Sequence, residues 1–228
     1  MTSPRLPVSF SPGPRRTGWL ALFSVAVILG GATVTGAAYS GPAGEAYSPL
    51  NHFISELGEL AQSRLAVVYD AGIVAGGLGL GIFLAVVAGH MTGRFRSAMR
   101  VAAVLAGASG VLTGLLPMDT KAAHQIVAAV FFMSGWSVAA VFSAWLLVAR
   151  RPGFPRWLLV PGLGCIPIFA AFLAVFSTYR PAKPFAPILE RPDIWAVPLL
   201  EWASLLSLLA WFTALGLVLV RRETWPDA

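Results

Sequence analysis

Six long apolar stretches alternate with short polar ones along the chain. They cover residues 17–39, 65–89, 97–116, 122–148, 157–178 and 194–220. Each reaches the roughly 20 residues that a helix needs to cross the hydrocarbon of a bilayer. The stretches are apolar nearly all round, so periodicity does not set their ends; flanking charges and prolines do. The first is longer than the roughly 7–15 residues of a signal-peptide core and reads as an uncleaved span. Arg15 and Arg16 before it read as a cytoplasmic flank rather than a twin-arginine signal. The pattern predicts an all-α polytopic membrane protein. Six transmembrane helices form a compact bundle between a cytoplasmic tail of residues 1–16 and another of 221–228.

Between the first two stretches lies a different pattern, "SPLNHFISELGELAQSR", residues 48–64. Ser48 followed by Pro49 has the form of a helix start, a hydroxyl N-cap and then proline at the first helical position. Leu50, Phe53, Ile54, Leu57 and Leu60 recur at helical spacing, within an arc of roughly 120°. Asn51, His52, Ser55, Glu56 and Glu59 fall opposite. The spacing predicts a short amphipathic helix over residues 48–60 on the outer face. Its apolar side packs on the bundle or lipid and its polar side meets water.

Composition agrees with the membrane reading. The chain is 57% hydrophobic, above the roughly 45–50% of soluble domains, and its mean hydropathy is +0.76. A net charge of +6 would suit nucleic acid, but the basic residues are sorted by side and lack interleaved aromatics. Arg5, Arg15, Arg16, Arg94, Arg96, Arg100, Arg150, Arg151, Arg156, Arg221 and Arg222 share one side, eleven of the sixteen. Arg64, Lys121, Arg180, Lys183 and Arg191 occupy the other. The positive-inside rule makes the first side cytoplasmic, with both termini there. Tyr39, Tyr47, Tyr69 and Tyr179 fall near the opposite interface, where an aromatic ring with a polar tip is comfortable.

Small residues at one-turn spacing point to close helix packing. Gly72 with Gly76, Gly77 with Gly81, and Gly110 with Gly114 each let backbones approach, which places the second and third spans at the centre. Pro161, Pro167 and Pro198 are expected to kink their spans. Cys165 is single and sits in an apolar run, so it reads as a small buried hydrophobe.

Candidate chemistry gathers on the outer side. Asp119 and His124 lie where the third span turns into the fourth, on the side of His52, Ser55 and Glu56. Asp70 and Glu201 lie roughly 8–10 Å inside the second and sixth spans at 1.5 Å per residue. An ionisable group at that depth marks a functional hypothesis, or a structural pair with Arg64, Lys121, Arg180 or a histidine. "NHFISELGEL" in the first outer loop and "LLPMDTKAAHQ", residues 115–125, together resemble the family numbered 998 among domains of unknown function. The first element is also similar, more distantly, to the Frag/DRAM/Sfk group. That resemblance implies six spans and, by analogy alone, a lipid-related role.

The ligand-binding candidates are therefore Asn51, His52, Ser55, Glu56, Asp70, Asp119, His124 and Glu201. Catalytic zinc needs three protein ligands and an open position. Only His52 and His124 stand on the outer side, and no metal is expected. Ser55, a histidine and Asp119 form a nucleophile set only formally, because Ser55 lacks a nucleophile elbow. No phosphate loop or dinucleotide fingerprint is present, and no cofactor is expected. Three readings follow. The leading one is an outer-face pocket where His52, Ser55, Glu56, Asp119 and His124 converge and hold a lipid headgroup or a membrane partner. Its anionic form uses charged histidines with Arg64 or Lys121. The others are a proton-linked carrier using Asp70 and Glu201, and a membrane-embedded lipid hydrolase.

Overall fold

Hydrocarbon offers no partner to backbone N–H and C=O groups, so each long apolar run closes its own hydrogen bonds as a helix. In the computed structural model, which describes residues 12–148, 153–178 and 188–225, the six helices are α1 (Pro14–Ala37), α2 (Ala66–Gly89), α3 (Gly93–Leu115), α4 (Ala122–Val148), α5 (Leu159–Thr178) and α6 (Ala196–Val220). All six are long and apolar enough to span a membrane, and no strand occurs among the described residues. The chain is a multi-pass integral membrane protein. α3 starts four residues before the apolar stretch because hydropathy marks the hydrocarbon, while the helix extends beyond it through Arg94 and Arg96. Arg5, Arg150, Arg151, Tyr179, Arg180 and Lys183 lie outside the described residues.

Each helix packs on its neighbours in sequence, and α6 returns to α1, so the bundle is a closed ring. Phe83, Phe142, Trp211 and Leu215 fill its interior. The glycines act within the ring. A Cβ on Gly77 would sit 2.8 Å from the Gly110 carbonyl carbon, and one on Gly81 would sit 2.9 Å from the Gly107 Cα. Only bare backbones reach this separation, so α2 and α3 are held by close van der Waals contact. Gly72 and Gly76 face α1 instead, at Val27 and Ile28. Of the three prolines expected to kink spans, only Pro167 lies in a helix interior. Pro161 and Pro198 occupy the first turns of α5 and α6, where the missing N–H has no intrahelical acceptor to lose.

At one end of the ring the Trp225 indole N–H donates to the Pro12 carbonyl at 3.1 Å and its ring stacks on His90 at 3.8 Å. This is the terminal end. The segment joining α1 to α2 covers the opposite, distal end, and it departs from the predicted amphipathic helix. Residues 49–52 form turns, Phe53 is extended, and only Ile54–Gly58 is helical, as a 3-10 turn. Two of the five polar-side residues are withdrawn from water: His52 is 2% exposed and Glu56 4%, while Asn51, Ser55 and Glu59 are partly exposed. Of the apolar set, Leu57 is fully buried, whereas Leu50 and Leu60 are exposed. A surface helix buries one stripe; this segment buries side chains on every side and is held by groups from distant helices.

Candidate functional site

Two carboxylates fix the start of the 3-10 turn. Glu56 Oε1 accepts the Phe53 N–H at 3.1 Å, and Glu201 Oε2, reaching out of α6, accepts the Ile54 N–H at 2.8 Å. Helix-start N–H groups have no acceptor within the helix, and a carboxylate there is doubly suited by hydrogen bond and charge. Glu201 thus partners backbone rather than the cation expected of a structural pair. Glu56 also takes Arg191 Nη1 at 2.7 Å, and the same nitrogen donates to the Asn51 carbonyl at 3.0 Å. The Tyr47 hydroxyl accepts the Trp202 indole N–H at 2.9 Å and donates to the Phe53 carbonyl at 3.0 Å. The Trp195 N–H donates to the Leu50 carbonyl at 2.8 Å. Five contacts, from Glu201, Arg191 (two), Trp202 and Trp195, therefore moor the segment to α6 and the residues just before it.

The turn between α3 and α4 supplies the facing wall. Asp119 accepts the Leu60 N–H at 2.6 Å and the Ala61 N–H at 3.3 Å. Lys121 turns the chain into α4 at φ 49° and ψ −104°, angles of the first central residue of a II′ turn that favour glycine. His124, in the first turn of α4, points Nδ1 at the Leu116 carbonyl at 2.7 Å. A carbonyl only accepts, so Nδ1 carries the proton and Nε2 of the neutral ring is left as an acceptor.

Between these walls lies a polar cavity of about 560 Å³. Glu45, Glu56, Glu59 and Asp119 line it, against Lys121 and Arg191; Tyr39, His124, Gln62 and Gln125 add to its polar surface. Beside it a narrower crevice of about 170 Å³ runs between α4 and α5. Its walls are mainly Phe132, Met133, Phe169, Phe172 and Leu173, with Ser55 and Glu201 near one end. His124 and Gln125 line both spaces.

The candidates divide accordingly. Glu56, Asp119 and His124 share the polar cavity, while Ser55, His124 and Glu201 share the crevice. Asn51 and His52 lie behind the cavity wall, with His52 Nδ1 at 2.8 Å from Asn51 Oδ1 and Nε2 at 3.8 Å from Glu45 Oε1. The five-residue convergence therefore holds for three. Ser55 turns its hydroxyl to Met118 Sδ at 3.7 Å. Asp70 lies behind Gly58, where a side chain at position 58 would collide with its carboxylate. Tyr39, Glu45, Glu59, Gln125 and Arg191 also line the cavity and were not among the sequence candidates. Arg191 carried only a side-sorting signal, because its partner Glu56 is 135 positions away.

Electrostatics correct one expectation. His52 was to be charged by nearby carboxylates, but burial and then Arg191 hold its pKa below the usual value, outweighing Ser48 and Glu45. Desolvation disfavours the imidazolium, and a guanidinium nearby adds to it. Burial raises Glu56 in spite of Arg191, and burial raises Glu59. The Tyr39 hydroxyl is raised by burial and then by Glu56, Glu45 and Glu59. Among the described residues no three His, Cys, Asp or Glu groups are placed to hold a metal ion.

A family model described as "Protein of unknown function (DUF998)" matches residues 25–218. The chain belongs to the DUF998 family. The matched region starts within α1 and ends within α6, so the whole cavity and crevice fall inside the family domain. Comparison with curated proteins and with solved structures returned no match.

Proposed function

We propose that this membrane protein binds a single amphiphile, with its headgroup in the polar cavity and its hydrocarbon chain in the crevice between α4 and α5. One observation carries this reading: His124 and Gln125 line both spaces, so a polar site and an apolar slot meet at one pair of side chains. Met133 and Leu173 on the crevice wall are exposed on the flank of the bundle, which suits lateral arrival of a chain from the bilayer. Concave, mostly apolar sites with a few convergent polar groups are the usual form of small-ligand pockets. The arginines at the terminal end, among them Arg15, Arg16, Arg221 and Arg222, support cytoplasmic termini and hence an outer-leaflet site in the cell membrane.

The experiment is retention of lipid through purification. Replacing Met133 by Trp fills the crevice, and co-purifying lipid is expected to fall severalfold while the protein stays monodisperse. Unchanged lipid content would overturn the reading. The carrier reading has thinner support, because Glu201 is engaged by the Ile54 N–H and Asp70 is packed behind Gly58. For the hydrolase reading, Ser55 and His124 share the crevice, but the serine hydroxyl is directed at Met118.

A further inference from the structure

We infer that the headgroup recognised in the polar cavity carries a primary ammonium, as in an aminoethyl phosphate; this rests on the amphiphile reading above. The lining is unbalanced in charge. Arg191 is matched by Glu56 at 2.7 Å, and among the described residues this leaves Glu45, Glu59 and Asp119 facing Lys121. An anionic headgroup would meet net negative charge there. A cation is attracted, and the phosphate attached to it has Lys121 within the same cavity.

Two further side chains point to a donor-rich ligand independently of the acids. Tyr39 and His124 are each only 7% exposed, and both line the cavity. Among the described residues the Tyr39 hydroxyl has no hydrogen-bond partner, nor does His124 Nε2, whose ring is held through Nδ1. Neither atom is among those sealed in protein without a partner; both open onto the cavity, where a ligand or water can reach them. Imidazole Nε2 accepts, carboxylates accept, and a phenol hydroxyl accepts as readily as it donates. Tyr39 and His124 therefore add acceptors to the carboxylates, beside the Gln62 and Gln125 amides, and an –NH₃⁺ group supplies three donors with its charge. A trimethylammonium supplies none and is held by aromatic cages, whereas Tyr39 is the one Phe, Tyr or Trp side chain among the cavity-lining residues described.

The test is native mass spectrometry of delipidated protein titrated with three phospholipids of identical acyl chains. Their headgroups are phosphoethanolamine, phosphocholine and phosphoglycerol. Phosphoethanolamine lipid is expected to occupy the site roughly tenfold more than either of the others, the scale of a charge-assisted hydrogen-bond set. Tyr39→Phe and Glu59→Gln, both near-isosteric, should each lower phosphoethanolamine occupancy severalfold, and neither should lower phosphoglycerol occupancy. Equal occupancy of the three, or preference for a headgroup without –NH₃⁺, overturns the inference. If Met133→Trp still abolishes that binding, the amphiphile reading survives the loss. If no lipid binds, soluble phosphoethanolamine is titrated instead. Binding weakened by Tyr39→Phe then supports ammonium recognition from a water-soluble source, and absence of binding overturns it.

Discussion

Arg191 and Glu56, 135 residues apart in the chain, meet at 2.7 Å with both side chains largely buried in the wall of the polar cavity. The pair joins the segment before α6 to the segment after α1. Removing one partner leaves a desolvated charge, a loss of about 3–5 kcal/mol, while removing both is far milder. Arg191→Met is therefore expected to lower the thermal midpoint strongly, and Arg191→Met with Glu56→Leu to recover most of it. A double variant no more stable than the single one would count against the pair as the source of the effect.

Glu59 gives a pH dependence with a definite sign. Burial raises its folded pKa above the usual 4.5, so the folded chain holds this proton to higher pH than the unfolded chain. Its contribution is fully present below the unfolded value and is lost as pH rises through the folded one. Midpoints measured from pH 4 to 7 should carry a downward component that Glu59→Gln removes. An unchanged pH profile in the variant would exclude the assignment.

The α2–α3 seam tolerates no added carbon. Gly77→Ala or Gly81→Ala forces backbone to move by tenths of an ångström and should destabilise by about 1–3 kcal/mol. Gly89→Ala, with nothing within 4 Å of the new carbon, should be neutral or mildly stabilising. Denaturation in one detergent compares the three, and equal effects would refute the packing account.

Lys121 is the one non-glycine residue with positive φ among those described. Strain of this kind costs on the order of 1–3 kcal/mol. Lys121→Gly should raise the unfolding midpoint whereas Lys121→Ala should not, since alanine removes the charge and keeps the strain. A stabilisation equal in both would place the effect in the charge instead.

Orientation is checked with a reporter fused after Ala228, expected to be active only in the cytoplasm. Periplasmic activity would reverse the proposed placement of the cavity at the outer leaflet.

The helices were legible because hydrocarbon imposes one solution on any long apolar run, and charges such as Arg94 and Arg221 marked their ends. Segment 48–60 was not. Leu50, Phe53, Ile54, Leu57 and Leu60 keep helical spacing, yet Phe53 stays extended and its neighbour's N–H is claimed by Glu201, 147 positions away. Local spacing does not encode an acceptor on another helix. The same distance hid Arg191 from the candidate set. Glu56, Asp119 and His124 were visible as one group because two short motifs place them on one side of the bundle, whereas the crevice depends on how Phe132 and Phe169 meet across α4 and α5.

Because Glu201 belongs to α6, the last of these six helices to leave the ribosome, the segment between α1 and α2 must wait for five more spans before its capping acceptor exists. Until then the Ile54 N–H lacks that acceptor, Tyr47 lacks its indole partner, and the ring is open along α1. Domains otherwise tend to fold from the N-terminus as they are made. Here the earliest loop is completed by the latest helix, so the binding site and the closed bundle mature in a single step at the end of biogenesis.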